Sequence, residues 1–378
     1  MLRVLIATVT AGGGHVAAAA ALSEAWRSQR PDDLVETVDL LQSFSKLHAK
    51  SYSQGYPKLI ETAPELWGAV FERTDHAELA AKLHRWRRLI PSRSQQRFVK
   101  QLEEFRADIL LCTHYLPLEA LRTRKQTSRP LVVSIVTDFE AHALWMAEAV
   151  DVYCVAAEHT RARLLARGAK PNQVLVTGIP ISARFSQKIN PAAIRRRMGL
   201  RDDLPVILIL SGGFGMGPIS RIVSEIDKAS GEFQLLVVTG KNADLKAELS
   251  AQDWKHPTRV LGYASNMHEL MGIAQLVVSK PGGLTTSEVL ALGKPLMIVN
   301  PIPGQEAANS DFLLEHGAAC KASRSDDLPF RIEELLKPGK LDKLGNAARA
   351  LGRPEAALAV CRAVSEAALR KKQTMAIA

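Results

Sequence analysis

Three segments concentrate residue types able to do chemistry. The longest is Ser279-Lys280-Pro281-Gly282-Gly283-Leu284-Thr285-Thr286-Ser287-Glu288. An apolar run, Leu276 to Val278, reads as a buried strand ending in the Pro-Gly-Gly turn, and a helix-forming run is expected from Glu288 onward. Gly282 and Gly283 let a phosphate approach the backbone. Thr285, Thr286 and Ser287 offer hydroxyl donors, and the open N–H groups of a first helical turn face the ligand. Glu288 comes too late to meet a phosphate, but a carboxylate there suits the two hydroxyls of a ribose. A second strand, Leu296 to Val299, leads to Gln305 and Glu306, which are suited to further hydroxyls. Phosphate, ribose and a polyol in one half of the chain spell a nucleotide-sugar. Taken alone, Pro-Gly-Gly reads equally as a plain turn, with Glu288 a solvated acid in the first helical turn.

The other two segments are glycine loops. Thr10-Ala11-Gly12-Gly13-Gly14-His15 ends a first strand and runs into an Ala-rich helix. Its glycines admit another molecule to the backbone, and His15 stands at a helix start beyond the strand ends. The dinucleotide register is absent here, and an idle, exposed histidine remains open. In the second half, Gly212, Gly213, Gly215 and Gly217 lead to Pro218, which fits the first turn of a helix. The free N–H groups of such a loop suit a departing pyrophosphate. Gly262-Tyr263 with Asn266-Met267 is unremarkable by itself, and Tyr263 is expected to pack. Asp138 at a strand end reads as a cap, and His142 and Trp145 share a face if their segment is helical.

The elements that position these residues alternate. Strands are expected at Val4–Val9, Val35–Asp39, Ile109–Thr113, Leu131–Thr137, Val152–Ala156 and Val174–Thr177, with helices between them. A second series follows at Val206–Leu210, Leu235–Thr239, Arg259–Leu261, Leu276–Ser279 and Leu296–Asn300. This is the pattern of two Rossmann-type parallel sheets, an α/β protein. Turn signals from Gly178 to Pro191 mark the linker, which gives domains 1–182 and 183–354 and a closing helical segment, 355–378. The length of 378 residues suits two domains, and 47% hydrophobic with 23% charged residues is the composition of a globular and not a disordered chain. No apolar run reaches the ~18 residues of a spanning helix. The N-terminal apolar run is short and enters the glycine loop, so it reads as a strand and not a signal peptide. Four scattered cysteines suit a reducing compartment. The formal charge of +10 calls for an anionic partner, nucleic acid or anionic lipid.

The run from Ser279 to Glu288 followed by Pro303-Gly304-Gln305-Glu306 closely resembles the nucleotide-sugar motif of GT-B glycosyltransferases. The resemblance is closest to the diacylglycerol glycosyltransferases of family 28: bacterial diacylglycerol β-glucosyltransferases and monogalactosyldiacylglycerol synthases. The Gly-Gly-Gly-His loop is similar to theirs, as is Gly212 to Pro218. The peptidoglycan lipid-intermediate N-acetylglucosaminyltransferase is a more distant relative. The resemblance implies two Rossmann-like domains facing each other across a cleft, with a terminal helix crossing back to the first. It implies inverting transfer of galactose or glucose from UDP-galactose or UDP-glucose to the free hydroxyl of 1,2-diacylglycerol. His15 would be the base. The uracil would lie near Gly262, Tyr263 and Met267, and the ribose on Glu288. The diphosphate would meet Gly212, Gly213, Gly215, Gly217, Gly282, Gly283, Thr285 and Thr286, and the sugar Gln305 and Glu306. Gly13, Gly14, Trp67, Asp138 and Trp145 are placed on the acceptor side.

No Asp-x-Asp occurs, so metal-independent transfer without a cofactor is expected. P-loop, serine-hydrolase and zinc-protease motifs are also absent. A lipid acceptor makes an anionic membrane the expected partner for the excess charge, with no nucleic acid. From Leu79 to Leu102 there is no acid but seven bases, among them Arg85, Arg87 and Arg88, interleaved with Trp86 and Phe98. This stretch is expected to dock a cytoplasmic, peripheral protein on the inner face of the cell membrane. Rival readings are an N-acetylglucosamine transfer to an isoprenoid-linked precursor, a UDP-sugar epimerase, and a membrane-associated sensor that binds UDP-sugar without turnover.

Overall fold

The computed structural model describes residues 1–10, 12–44, 62–75, 93–121, 129–212 and 217–377. The chain divides into two compact units. One comprises Met1–Ala183, Pro303–Gln305 and Glu355–Ala378, and the other Arg184–Ile302 and Glu306–Pro354.

The first unit holds six parallel strands: β1 (Arg3–Thr8), β2 (Leu34–Asp39), β3 (Ile109–Cys112), β4 (Leu131–Ile135), β5 (Val152–Val155) and β6 (Val174–Val176). Their order is β2-β1-β3-β4-β5-β6. β3, β4 and β5 are buried along their whole length, as expected of parallel strands covered on both faces. One covering layer includes the helix Gly13–Gln29 and the terminal helix Ala356–Ile377. Ala19, Leu22 and Trp26 of the former share a core with Val360, Cys361 and Val364 of the latter. The closing helix therefore belongs to the first unit.

The second unit repeats the plan with β7 (Val206–Leu210), β8 (Gln234–Val238), β9 (Thr258–Leu261), β10 (Leu276–Ser279), β11 (Leu296–Ile298) and β12 (Ala319–Lys321). Their order is β12-β11-β10-β7-β8-β9. Eleven of the twelve strands fall where the β-branched runs place them. β12 was not expected, because Ala-Cys-Lys carries no strand signal and pairs only through its register on Leu296–Ile298.

In both sheets the strand order reverses beside the first strand, between β1 and β3 and between β7 and β10. The connections there leave in opposite directions and open a crevice at the carboxyl ends of the strands. The glycine loops follow β1 and β7, so the topology puts each at a crevice.

Candidate functional site

His15 lies on the helix Gly13–Gln29 at the first reversal point. Its Nδ1 is 2.8 Å from the Thr113 carbonyl oxygen, just past β3, and 3.1 Å from Thr137 Oγ1, past β4. The Thr113 hydroxyl donates back to the His15 carbonyl at 3.1 Å. A carbonyl only accepts, so Nδ1 carries the proton and Nε2 keeps its lone pair. The loop before it is held by Asp39, which accepts from the Thr10 hydroxyl at 2.6 Å and from the Thr10 N–H at 3.2 Å. Burial lowers the His15 pKa below its ordinary 6.5, opposed by the Asp138 carboxylate and by the Thr113 hydrogen bond. Asp138 therefore acts on His15 electrostatically, a role its expected part as a strand-end cap does not describe.

A cleft opens beside His15, with Trp67, Phe71, His114, Tyr115, Asp138, His142 and Trp145 in its walls. The helix Pro64–Thr74 supplies Trp67 and Phe71 to the cleft, one turn apart, and leaves Leu66 and Val70 exposed at 57% and 42%. Phe71 lies against His142, with ring centroids 4.3 Å apart. His142 and Trp145 share no regular helix face. Ala143–Trp145 is a single 3₁₀ turn capped by His142, whose Nδ1 accepts the Leu144 N–H at 3.1 Å. Its Nε2 lies 3.0 Å from the Phe71 carbonyl. Asp75 anchors this wall, accepting from both Arg167 terminal nitrogens at 2.8 and 2.7 Å and from the Ala143 N–H at 2.8 Å. His114 escaped the sequence reading. Its ring meets His15 edge-on at 4.6 Å and stacks on Tyr115 at 4.4 Å. Burial, then the neighbouring His15, holds its pKa well below the ordinary value, so it stays neutral. The signal available was its position, two residues beyond β3 at a reversal point.

In the second unit the helix after the Pro-Gly-Gly turn runs Gly283–Ala291, five residues earlier than expected. Gly282 is its N-cap, so the three hydroxyl residues lie within the helix. Thr286 is fully buried and its N–H bonds to the Gly282 carbonyl, while Ser287 Oγ donates to the Gly283 carbonyl. The Ser287 hydroxyl is thereby taken, while the Thr286 hydroxyl is buried without a hydrogen-bond partner among the described residues and faces away from solvent. The donors that remain are the first-turn N–H groups of Gly283, Leu284 and Thr285, and the half-exposed Thr285 hydroxyl. Glu288 is the sixth helical residue, which removes it from the first-turn role. Burial pushes its pKa up to about 8.

Asn309 ties the Pro-Gly-Gly turn to the next helix, donating to the Pro281 carbonyl at 3.0 Å. Gly304, with φ +91°, makes the tight entry to the helix Gln305–Glu315. Glu306 accepts the Ile302 N–H at 2.9 Å, and its Oε1 lies 3.7 Å from where a Cβ on Gly282 would stand. Gly212 and Gly217 have φ values of +73° and +105°, and Pro218 stands one position ahead of its helix, Ile219–Asp227. Gly213 and Gly215 lie outside the described residues.

Gly262 and Tyr263 follow the end of β9, on the sheet edge three places from β10, and Met267 opens the next helix, Met267–Ile273. Tyr263 is 69% exposed, so it does not pack as expected. Arg85, Trp86, Arg87 and Arg88 also lie outside the described residues. Phe98, expected to join them at a membrane, is fully buried with Val99 and Leu102 in the helix Arg93–Phe105. That helix is amphipathic, so its aromatic side belongs to the core, with Arg93, Arg97 and Lys100 outward.

Two Rossmann-like units, each with a glycine loop at its reversal point, make up the GT-B fold. Residues 15–181 match the family model for monogalactosyldiacylglycerol (MGDG) synthase, and residues 206–361 the glycosyltransferase family 28 C-terminal domain. The chain is 30% identical to a processive diacylglycerol beta-glucosyltransferase of Bacillus thuringiensis (strain Al Hakam), over 94% of this chain and 91% of that one. It is 27% identical to monogalactosyldiacylglycerol synthase 1, chloroplastic, of Arabidopsis thaliana, over 99% of this chain and 72% of that one. In fold it is similar to MurG of Acinetobacter baumannii, with a TM-score of 0.58 at 18% identity, over 96% of this chain and 99% of that one. The chain belongs to the diacylglycerol glycosyltransferases of family 28. Among the described residues no helix is long and apolar enough to cross a membrane.

Proposed function

We propose that this protein moves a hexose from UDP-galactose or UDP-glucose to the free hydroxyl of 1,2-diacylglycerol, with inversion, to give a β-glycosyldiacylglycerol. The observation that carries the reading is the fixed tautomer of His15 beside an aromatic cleft. A glycerol hydroxyl that enters the cleft with its acyl chains along Trp67, Tyr115 and Trp145 meets a neutral imidazole with its Nε2 lone pair free. The acceptor oxygen attacks the anomeric carbon as the bond to the UDP oxygen breaks. The bonding pair leaves with the β-phosphate, and the hydroxyl proton passes to Nε2. Asp138 stabilises the imidazolium so formed.

On the donor side, the N–H groups at the start of Gly283–Ala291 and the loop from Gly212 to Gly217 take the diphosphate. Glu288 takes the ribose, Gln305 and Glu306 the sugar, and backbone groups at Gly262–Tyr263 the uracil. Leaving-group charge is met by fixed protein groups, so the reaction proceeds without a metal cofactor. The exposed Leu66 and Val70, with the basic stretch around Arg85–Arg88, support peripheral attachment to the anionic inner face of the cell membrane, and no nucleic acid partner is called for.

The test supplies UDP-glucose or UDP-galactose with and without diacylglycerol vesicles, in the presence of EDTA. Lipid-dependent release of UDP, with a β-glycolipid product, is expected. Sugar isomerisation without lipid, binding without UDP release, or activity that EDTA abolishes and Mg²⁺ restores would each break a stated part of the reading.

A further inference from the structure

Lys280 is the one charged residue of the Pro-Gly-Gly segment to which the donor reading gives no part. It is the first residue after β10, at the carboxyl end of a strand that pairs with β7 through Leu276↔Ile207 and Val278↔Ile209. β7 and β10 flank the reversal point of the second sheet. A Cβ placed on Gly217, at the far end of the loop after β7, would stand 3.4 Å from both Cε and Nζ of Lys280. The ammonium therefore lies across the end of one glycine loop, while its own backbone leads through Pro281 into the other. Among the described residues it forms no ion pair with a carboxylate. The loop residues outside that set, Gly213, Phe214, Gly215 and Met216, carry no acid. A half-buried cation beside Gly217 at the reversal point, with no carboxylate partner among the described residues, is suited to an anion.

We propose that Lys280 is the fixed positive charge on the donor diphosphate. It would grip the α- and β-phosphates in the bound donor and hold the extra charge on the β-phosphate oxygen as the glycosidic bond breaks. This rests on the nucleotide-sugar reading of the second unit. It adds the charge that loop N–H groups do not supply, since they offer partial dipoles and no net charge. Lysine acts here as a point charge, and the glycine at 217 keeps its path to the phosphates open. No proton leaves Lys280 during transfer. The proton of the acceptor goes to His15.

The test is titration of the full chain with UDP and with uridine, which differ only in the diphosphate, for wild type, Lys280→Met and Lys280→Arg. For Lys280→Met, UDP affinity is expected to fall about 10- to 100-fold, the range for losing a hydrogen bond to a charged group. Uridine affinity should stay within about twofold by the same reasoning, and it reports that the variant is folded. Lys280→Arg should recover most of the UDP affinity. Undiminished UDP affinity in Lys280→Met, or an equal loss for UDP and uridine, overturns the assignment. If Lys280→Met does not fold, Lys280→Gln is read in the same way. Wild-type protein that binds neither ligand sinks the nucleotide reading itself, a result distinct from failure of Lys280 alone.

Discussion

The Nδ1 atom of His15 lies 2.8 Å from the carbonyl oxygen of Thr113, across the reversal point of the first sheet. Because that oxygen has no proton to give, the hydrogen bond fixes the imidazole as the Nδ1–H tautomer. The strand order thereby decides which nitrogen acts as base.

Base catalysis by His15 has a definite pH signature. Its pKa sits below 6.5, chiefly through burial. Activity should be level above neutrality and decline as pH falls below 6.5 and the ring takes up a proton. Asp138→Asn removes an influence that raises this pKa, so the acid limb should move to lower pH. The maximal rate should fall as well, because the imidazolium loses its counter-charge. His15→Ala should lose ~10²–10⁴-fold in kcat with UDP affinity unchanged. A kcat above a tenth of wild type would remove His15 from the chemistry.

Glu288 should make nucleotide binding depend on pH. With a pKa of about 8 its carboxyl is mostly protonated at neutrality in the unliganded protein. Ribose hydroxyls that donate to it favour the carboxylate, so binding lowers this pKa and releases a proton. UDP affinity should rise with pH up to about 8 and level off above it. Glu288→Gln should abolish that slope and weaken UDP about tenfold or more. Titration at pH 6, 7 and 8, on the order of a unit either side of neutrality, reads both effects.

Asp75 should be a stability determinant of the cleft. Although burial opposes it, hydrogen bonds from Arg167 and the Ala143 N–H hold its pKa below 3.8. The contribution is complete above that unfolded-state value and is lost as pH falls through the lower folded-state value. Asp75→Ala strands Arg167, which is only 11% exposed, and should cost about 2–3 kcal/mol in a denaturant titration at pH 7. A change under about 0.5 kcal/mol would mean solvent replaces the lost partner.

Membrane attachment is tested on two surfaces separately. Changing Leu66 and Val70 together to aspartate removes exposed apolar area from the helix Pro64–Thr74 without touching Trp67 or Phe71. Vesicle binding should fall at least about tenfold, since each buried aliphatic side chain contributes about 1.5–3 kcal/mol. Changing Arg85, Arg87 and Arg88 to glutamate should remove the preference for anionic over neutral vesicles and its sensitivity to salt. Unchanged co-sedimentation of either variant would exclude the corresponding surface.

The two parallel sheets were legible from the residues alone, because runs such as Val206–Leu210 and Leu276–Ser279 are long enough and apolar enough to be only buried strands. So was the placement of the glycine loops, since these begin within a few residues of the ends of β1 and β7. What stayed open depended on partners distant in the chain. His15 and Thr113 are 98 residues apart, Thr137 lies further on, and only strand order makes them neighbours. Thr286 reads as a phosphate donor in a linear motif, yet a helix that begins at Gly283 turns it inward. His114 carries no motif at all and gains its place because β3 ends beside β1. Local propensity fixes where an element lies. Which faces of two elements meet, and therefore which side chain is buried, which tautomer is held and which ammonium is left facing a crevice, is decided by packing across the sheet.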